Sequence, residues 1–327
     1  MTRKINNSYE LGQSNAPDTG GDMLKTRGDG TLVWEGVADT TYVPLPAWVG
    51  DRGVFGGGAV TRNRIEYIDI TSTGNATDFG DLVAGREGVG GLSNGSRGVF
   101  AGGEYNVTIE YITISTIGNT TDFGDLNYGS PSYGVAGSCD GSRGIFQGSN
   151  NSGTTDDIDY ITVATTANAT VFGQVTVRRR ASGSLGDSTK AVFAGGKVST
   201  FENIMDYVVY STTGNSTDFG DLTVARSNVS GISNLTRGVF SGGYNSSSTM
   251  DYITIASTGN ATDFGDMSVG RNGAAGCSNG TTGVFGGGVT SVYLDVIDYI
   301  TISSTGNATD FGNLLGTQGF GHGLSGN

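Results

Sequence analysis

The sequence predicts an all-β fold: a six-bladed β-propeller with four strands per blade, its first blade closed by the C-terminal strand, behind an extended N-terminal arm. Three observations carry this. First, GNATDFGD at Gly74 returns as GNTTDFGD from Gly118, NATVFGQ from Asn168, GNSTDFGD from Gly214, GNATDFGD from Gly259 and GNATDFGN from Gly306. The asparagines fall between 44 (Asn75 to Asn119) and 49 (Asn119 to Asn168) residues apart, a period at which one unit cannot bury its apolar face alone. Second, each period holds four short runs rich in Val, Ile, Thr, Tyr and Phe, separated by Gly, Asn and Ser turns. Third, 58 Gly with only 4 Pro and 15% charged residues describes a turn-rich β chain, not collagen or charged disorder.

Residues 1 to about 22 are polar and aperiodic and read as an arm that needs a partner to order it. In LKTRGDGTLVWEG, Asp29-Gly30 between two β-prone runs signals a hairpin. Arg27-Gly28-Asp29 also spells an integrin-type tripeptide, but a polar hairpin turn is the favoured reading of so short a match. ADTTYVPLPAWV, with its two prolines, is an extended connector. Leu24, Leu32, Trp34 and Tyr42 are the residues of this arm suited to docking on a partner. The domain reading is an arm over 1–51 and a propeller over 52–327.

Each repeat then runs through strand b (RGVFGGG, centred on Phe55, Phe100, Phe146, Phe193, Phe240 and Phe285) and strand c (Tyr67, Tyr111, Tyr160, Tyr207, Tyr252 and Tyr299). Next come strand d (Phe79, Phe123, Phe172, Phe219, Phe264 and Phe311) and the Gly-rich strand a of the following blade. The region starts on strand b at Arg52 and ends on GFGHGLSGN, so the C-terminal strand completes the first blade and leaves no free edge. An alternative takes that strand from Pro46–Asp51.

The order of strand-b Arg, Gly-Gly, loop, Tyr and a spaced aromatic resembles the kelch repeat over residues 52–327, with Gly-Gly at Gly57-Gly58, Gly102-Gly103, Gly195-Gly196, Gly242-Gly243 and Gly287-Gly288. Gln147-Gly148-Ser149 departs from it, as does Phe where the family usually has Trp. The wording DYITIASTGNATDFGDM from Asp251 more closely resembles tandem kelch-like repeats of structural proteins of marine tailed bacteriophages. That resemblance implies part of a virion, made in a host cytoplasm. The further expectation, from the position of the arm, is that residues 1–51 anchor multiple copies to other virion proteins.

Spacing indicates which face varies. Tyr to the following Phe is 12 residues in all six repeats, whereas strand-b Phe to Tyr runs 12, 11, 14, 14, 12 and 14. The b–c loops share one face with the d–a crossings, and loops on a rigid scaffold are where recognition is placed. Candidate ligand-binding residues there are Arg86, Arg179, Arg226 and Arg271, one per crossing, with Tyr105, Asn150, Asn151, Phe201, Tyr244 and Tyr293 in the loops. The arginines fit a carboxylate or sulfate of a host-surface glycan. Structural ion pairs with Asp81, Asp221 and Asp266, five residues earlier in three crossings, are the favoured account of them. The arm, which joins strand b, leaves from the opposite, constant face.

Several chemistries find no support. A net charge of -13 disfavours nucleic acid and anionic membranes, and there is no apolar run long enough to span a bilayer. DFG recurs without a kinase's other motifs. Asp78, Asp81 and Thr77 offer oxygens to Ca²⁺, yet Val171 and Gln174 replace both acids in the third repeat, so a turn capped by Asp and Thr with a plugging Phe is favoured and no metal is assigned. Lone His322 builds no triad, Cys139 and Cys277 build no disulfide framework, and the Asn-x-Thr triplets after each repeat's Gly read as turns. The expectation is a cofactor-free, non-enzymatic surface protein that decorates a particle or recognises a host surface. The alternative, a carbohydrate-active propeller enzyme, needs acids clustered in one or two blades, whereas these are spread around the ring.

Overall fold

A computed structural model describes residues 22–26, 32–36, 49–104, 106–127, 134–148, 156–245 and 247–327. Residues 1–45 and 46–327 are separate compact units. In the first, strands Asp22–Thr26 and Leu32–Gly36 pair antiparallel with Leu24 opposite Trp34, as the hairpin signal predicts. Its turn and Tyr42 lie outside the described residues.

The second unit is a ring of six four-stranded antiparallel sheets. From the axis outward, blade 1 is His322–Gly326, Arg52–Gly56, Arg64–Asp69 and Thr77–Asp81. Blade 2 is Gly90–Ser93, Arg97–Ala101, Thr108–Thr113 and Thr121–Asp125. Blade 3 is Ala136–Cys139, Arg143–Gln147, Asp157–Thr162 and Thr170–Gln174. Blade 4 is Gly183–Gly186, Lys190–Ala194, Ile204–Val209 and Thr217–Asp221. Blade 5 is Ser230–Ser233, Arg237–Ser241, Thr249–Thr254 and Thr262–Asp266. Blade 6 is Ala275–Ser278, Thr282–Gly286, Leu294–Thr301 and Thr309–Gln318. The C-terminal strand closes blade 1 in register, Leu324 opposite Val54, and Pro46–Asp51 does not supply that strand.

Among the described residues no blade has a core of its own. Each apolar cluster spans a seam: Val54, Ile65 and Phe79 of blade 1, for example, pack with Phe100, Ile112 and Ile114 of blade 2. Phe55 and Ile68 close the last seam on Val284, Ile297 and Phe311. In every blade the strand-c Tyr meets the strand-d Phe edge-on, with centroids 6.0–6.2 Å apart.

The repeated octapeptide proves to be a connector between blades. The Asn Oδ1 of one copy accepts a backbone N–H from the end of the preceding copy: Asn119 from Asp81, Asn168 from Asp125, Asn215 from Gln174, Asn260 from Asp221, Asn307 from Asp266 and Asn75 from Asn313, all at 3.0–3.1 Å. Beside it the Gly259 amide donates to the Phe219 carbonyl at 2.7 Å and the Ala261 amide to the Asp221 carbonyl at 2.8 Å. The expected capping by Asp and Thr is thereby corrected, since Thr77 and Asp78 face solvent and Asn provides the cap. The DFG glycine is required twice over. Gly220 has φ +139°, and a Cβ there would lie 2.4 Å from the Gly259 carbonyl oxygen of the next blade.

Candidate ligand-binding face

The b–c loops and d–a crossings share one face: the Leu222 amide of a crossing donates to Asn203 in the adjacent loop, and Arg226 to Glu202. On this face the four crossing arginines are not available to a ligand. Arg86, Arg179, Arg226 and Arg271 are 2% exposed or less. Each pairs with the carboxylate that precedes the strand-c Tyr of its own blade. Arg86 meets Glu110, Arg179 meets Asp206 at 2.6 Å, and Arg226 and Arg271 meet Asp251 and Asp298 at 2.9 Å. The favoured ion-pair reading therefore holds, but its partners are corrected: they are Glu110, Asp206, Asp251 and Asp298, not Asp81, Asp221 and Asp266. The signal was in the sequence, because all six Tyr are preceded by an acid, Glu66, Glu110, Asp159, Asp206, Asp251 or Asp298, each 2% exposed or less.

These acids are desolvated, a cost that their hydrogen bonds and ion pairs offset. Each also holds the incoming crossing: backbone amides of Leu315, Val83, Asn127, Thr223 and Ser268 donate to Glu66, Glu110, Asp159, Asp251 and Asp298, and the Thr176 hydroxyl donates to Asp206. The arginines reach on to strand b, Arg271 donating to the Phe285 carbonyl at 3.1 Å and Arg179 to Phe193 at 3.2 Å. Burial lowers the pKa of Arg226 and Arg271, with Asp251 and Asp298 opposing it. In blade 1 Gln318 stands where the arginine would be and donates to the Gly57 carbonyl, while Arg64 donates to Glu66 at 2.9 Å. Burial still raises the Glu66 pKa, against the Leu315 amide and Arg64. The Gln147 departure has a role as well. Its side-chain amide donates to the Arg179 carbonyl at 3.0 Å, the position where Gly58, Gly196 and Gly243 donate to Arg86, Arg226 and Arg271.

At the channel mouth on this face, Gly88, Gly134, Ala181, Asn228, Gly273 and Phe320 all have φ between 55° and 71°. Their backbones hydrogen-bond around the opening: Gly134 to Gly88, Gly88 to Phe320, Phe320 to Gly273, Gly273 to Asn228 and Asn228 to Ala181, at 2.7–3.1 Å. His322 lines the channel below, half-buried, its pKa pushed down to about 4 by burial against a hydrogen bond with the Val89 backbone. Cys139 and Cys277 are free thiols in the inner strands, not joined in a disulfide, the Cys139 pKa pushed up to about 12 by burial.

The loops carry the exposed chemistry. Where the Phe-to-Tyr count is 14 in blades 4 and 6, the loops fold alike: Lys197 pairs with Phe201 as Val289 does with Tyr293, and Glu202 and Leu294 donate to Gly196 and Gly288. The shared turn lifts Phe201 and Tyr293 to the surface. Tyr293 is 37% exposed and covers Gly319. Phe201 meets Tyr244 of the blade-5 loop, with centroids 4.5 Å apart and planes tilted 31°. Lys197 Nζ lies 5.1 Å from the Phe201 centroid and 5.9 Å from that of Tyr244. Arg180 is backbone-paired to Lys197, and Arg178 stands 3.9 Å from Asp156. Sequence reading missed Lys197 and Arg180 as members of this group because the stacked pair forms only when two blades meet. Tyr105, Asn150 and Asn151 lie outside the described residues.

On the constant face, Arg52, Arg97, Arg143, Lys190 and Arg237 lie over the strand-c Tyr of their own blades and donate to a carbonyl of the next blade, as Arg97 does to Val163 at 2.9 Å. Among the described residues no group of three or more His, Cys, Asp or Glu is placed to hold a metal. No protein-family model matches the chain, and no curated protein matches it significantly.

Proposed function

We propose that the chain is a non-enzymatic surface protein of a bacteriophage particle, in head or tail decoration or in host-surface recognition. The propeller displays its b–c loops outward, and residues 1–51 dock on other virion proteins. The virion assignment draws on the resemblance of DYITIASTGNATDFGDM to tandem repeats of phage structural proteins. One observation supports binding at the loops: all six seams use the same connector, while differences in length and in exposed aromatics fall on the b–c loop face. The inner carboxylates, each engaged in holding a crossing, favour a scaffold over a hydrolase. Antibodies raised against the b–c loops should label the exterior of intact purified particles in immunogold microscopy. Absence of the chain from particles analysed by mass spectrometry overturns the proposal.

A further inference from the structure

We propose that Phe201, Tyr244, Lys197, Arg178 and Arg180 form a site for an acidic sugar, a pyranose bearing a carboxylate or sulfate. This rests on the recognition reading above and names its ligand. Three observations converge. Tyr244 is 46% exposed although it is stacked on Phe201, so the pair presents aromatic surface to solvent. Such a face attracts the weakly positive C–H face of a sugar ring, as it attracts cations.

The second observation is charge. On a chain of net charge -13, most cations of the ring already have partners. Arg52, Arg97, Arg143, Lys190 and Arg237 lie on tyrosines, Arg62 and Arg64 pair with Glu104 and Glu66, and four arginines are buried on acids. Arg178, Arg180 and Lys197 are the remaining three. Arg178 is 59% exposed at the long separation of 3.9 Å from Asp156, and among the described residues no ion pair of Lys197 or Arg180 is found, Lys197 lying at the aromatic pair. Lys197 Nζ stands at the aromatic pair, Arg180 is joined to Lys197 through the backbone, and Arg178 lies two residues before Arg180 on the same crossing. Ammonium and guanidinium groups suit a carboxylate or sulfate.

The third observation is rigidity. Arg180 and Lys197 exchange backbone hydrogen bonds at 3.1 and 2.8 Å, the Tyr244 amide donates to Ser227 at 2.9 Å, and Glu202 donates to Gly196 at 3.0 Å. The backbone carrying Arg180, Lys197 and Tyr244 is thus held on one frame before any ligand arrives, which limits the ordering cost of binding.

The test is calorimetric titration of the full chain with three oligosaccharides of equal length: a sulfated galactan, a polyuronate and a neutral glucan. Either acidic probe should bind at least about ten-fold more tightly than the neutral one, with affinity falling as salt rises. Which acidic probe binds identifies the anion. Tyr244→Ser and Arg180→Gln should each weaken binding about ten-fold, with melting temperature unchanged. Acidic-probe binding that survives both substitutions overturns this site and leaves host recognition through other loops standing. Equal binding of the neutral glucan, or no binding of any probe, overturns the site. In the latter case immunogold labelling of particles separately decides the virion reading.

Discussion

Asn75 Oδ1 accepts the backbone amide of Asn313 at 3.0 Å, joining residues 238 apart in sequence and closing the sixth seam with the same bond that makes the other five. Closure therefore needs no special device beyond the C-terminal strand in blade 1. Because each link is one neutral hydrogen bond at an exposed rim, Asn260→Ala should cost about 1 kcal/mol. Asn75→Ala should cost about the same, since the two environments match. Urea midpoints for the two variants check this, and a much larger loss at Asn75 would mean the closing seam is the weak one.

Gly220→Ala should be far more damaging than its small volume suggests. The methyl meets a backbone carbonyl of the next blade at 2.4 Å, and φ +139° is unfavourable to any L side chain. Neither obstacle can rotate away. A loss of about 2–4 kcal/mol is expected, seen as a lowered thermal midpoint. Gly259→Ala, where no atom lies within 4 Å of the added methyl, serves as the control, with only its φ of +156° to contend with.

Arg271→Met leaves Asp298 buried with its charge uncompensated, and should destabilise by about 3–5 kcal/mol. Asp298→Asn should also destabilise, because Arg271 loses its counter-ion and the Ser268 contacts weaken. The double variant should cost less than the two single losses added together. Denaturant titration of the four proteins gives the coupling directly.

His322 imposes a pH dependence of known sign. Its folded pKa of about 4 lies below the ordinary 6.5, so the unfolded chain takes up the proton first as pH falls. Its contribution is present above pH 6.5 and is lost progressively between about 6.5 and 4, to a total of up to about 3 kcal/mol. Glu66, whose folded pKa is raised, acts in the opposite sense, favouring the fold at acid pH and losing that contribution as pH rises through its folded value. His322→Gln should flatten the decline between pH 6.5 and 4 in melting-temperature profiles. An unchanged profile would rule out His322 as the source.

The octapeptide repeat, the strand spacing and the start on strand b determined the blade number, the strand order and the C-terminal closure. Those features follow from which short runs bury apolar faces and where glycines turn the chain, and both are written locally. Even the acid before each strand-c Tyr was visible as a recurring residue. What each polar group faces was decided only in three dimensions. Arg86 is five residues from Asp81 but pairs with Glu110, 24 residues on, because the crossing turns its side chain inward under strand c of its own blade. Asn260 caps a strand 39 residues earlier, and Phe201 finds Tyr244 across a seam. Linear spacing gives the repeat of such residues but not the face they turn to, and it is the packing of one blade on the next that buried the arginines and left the aromatic pair in solvent.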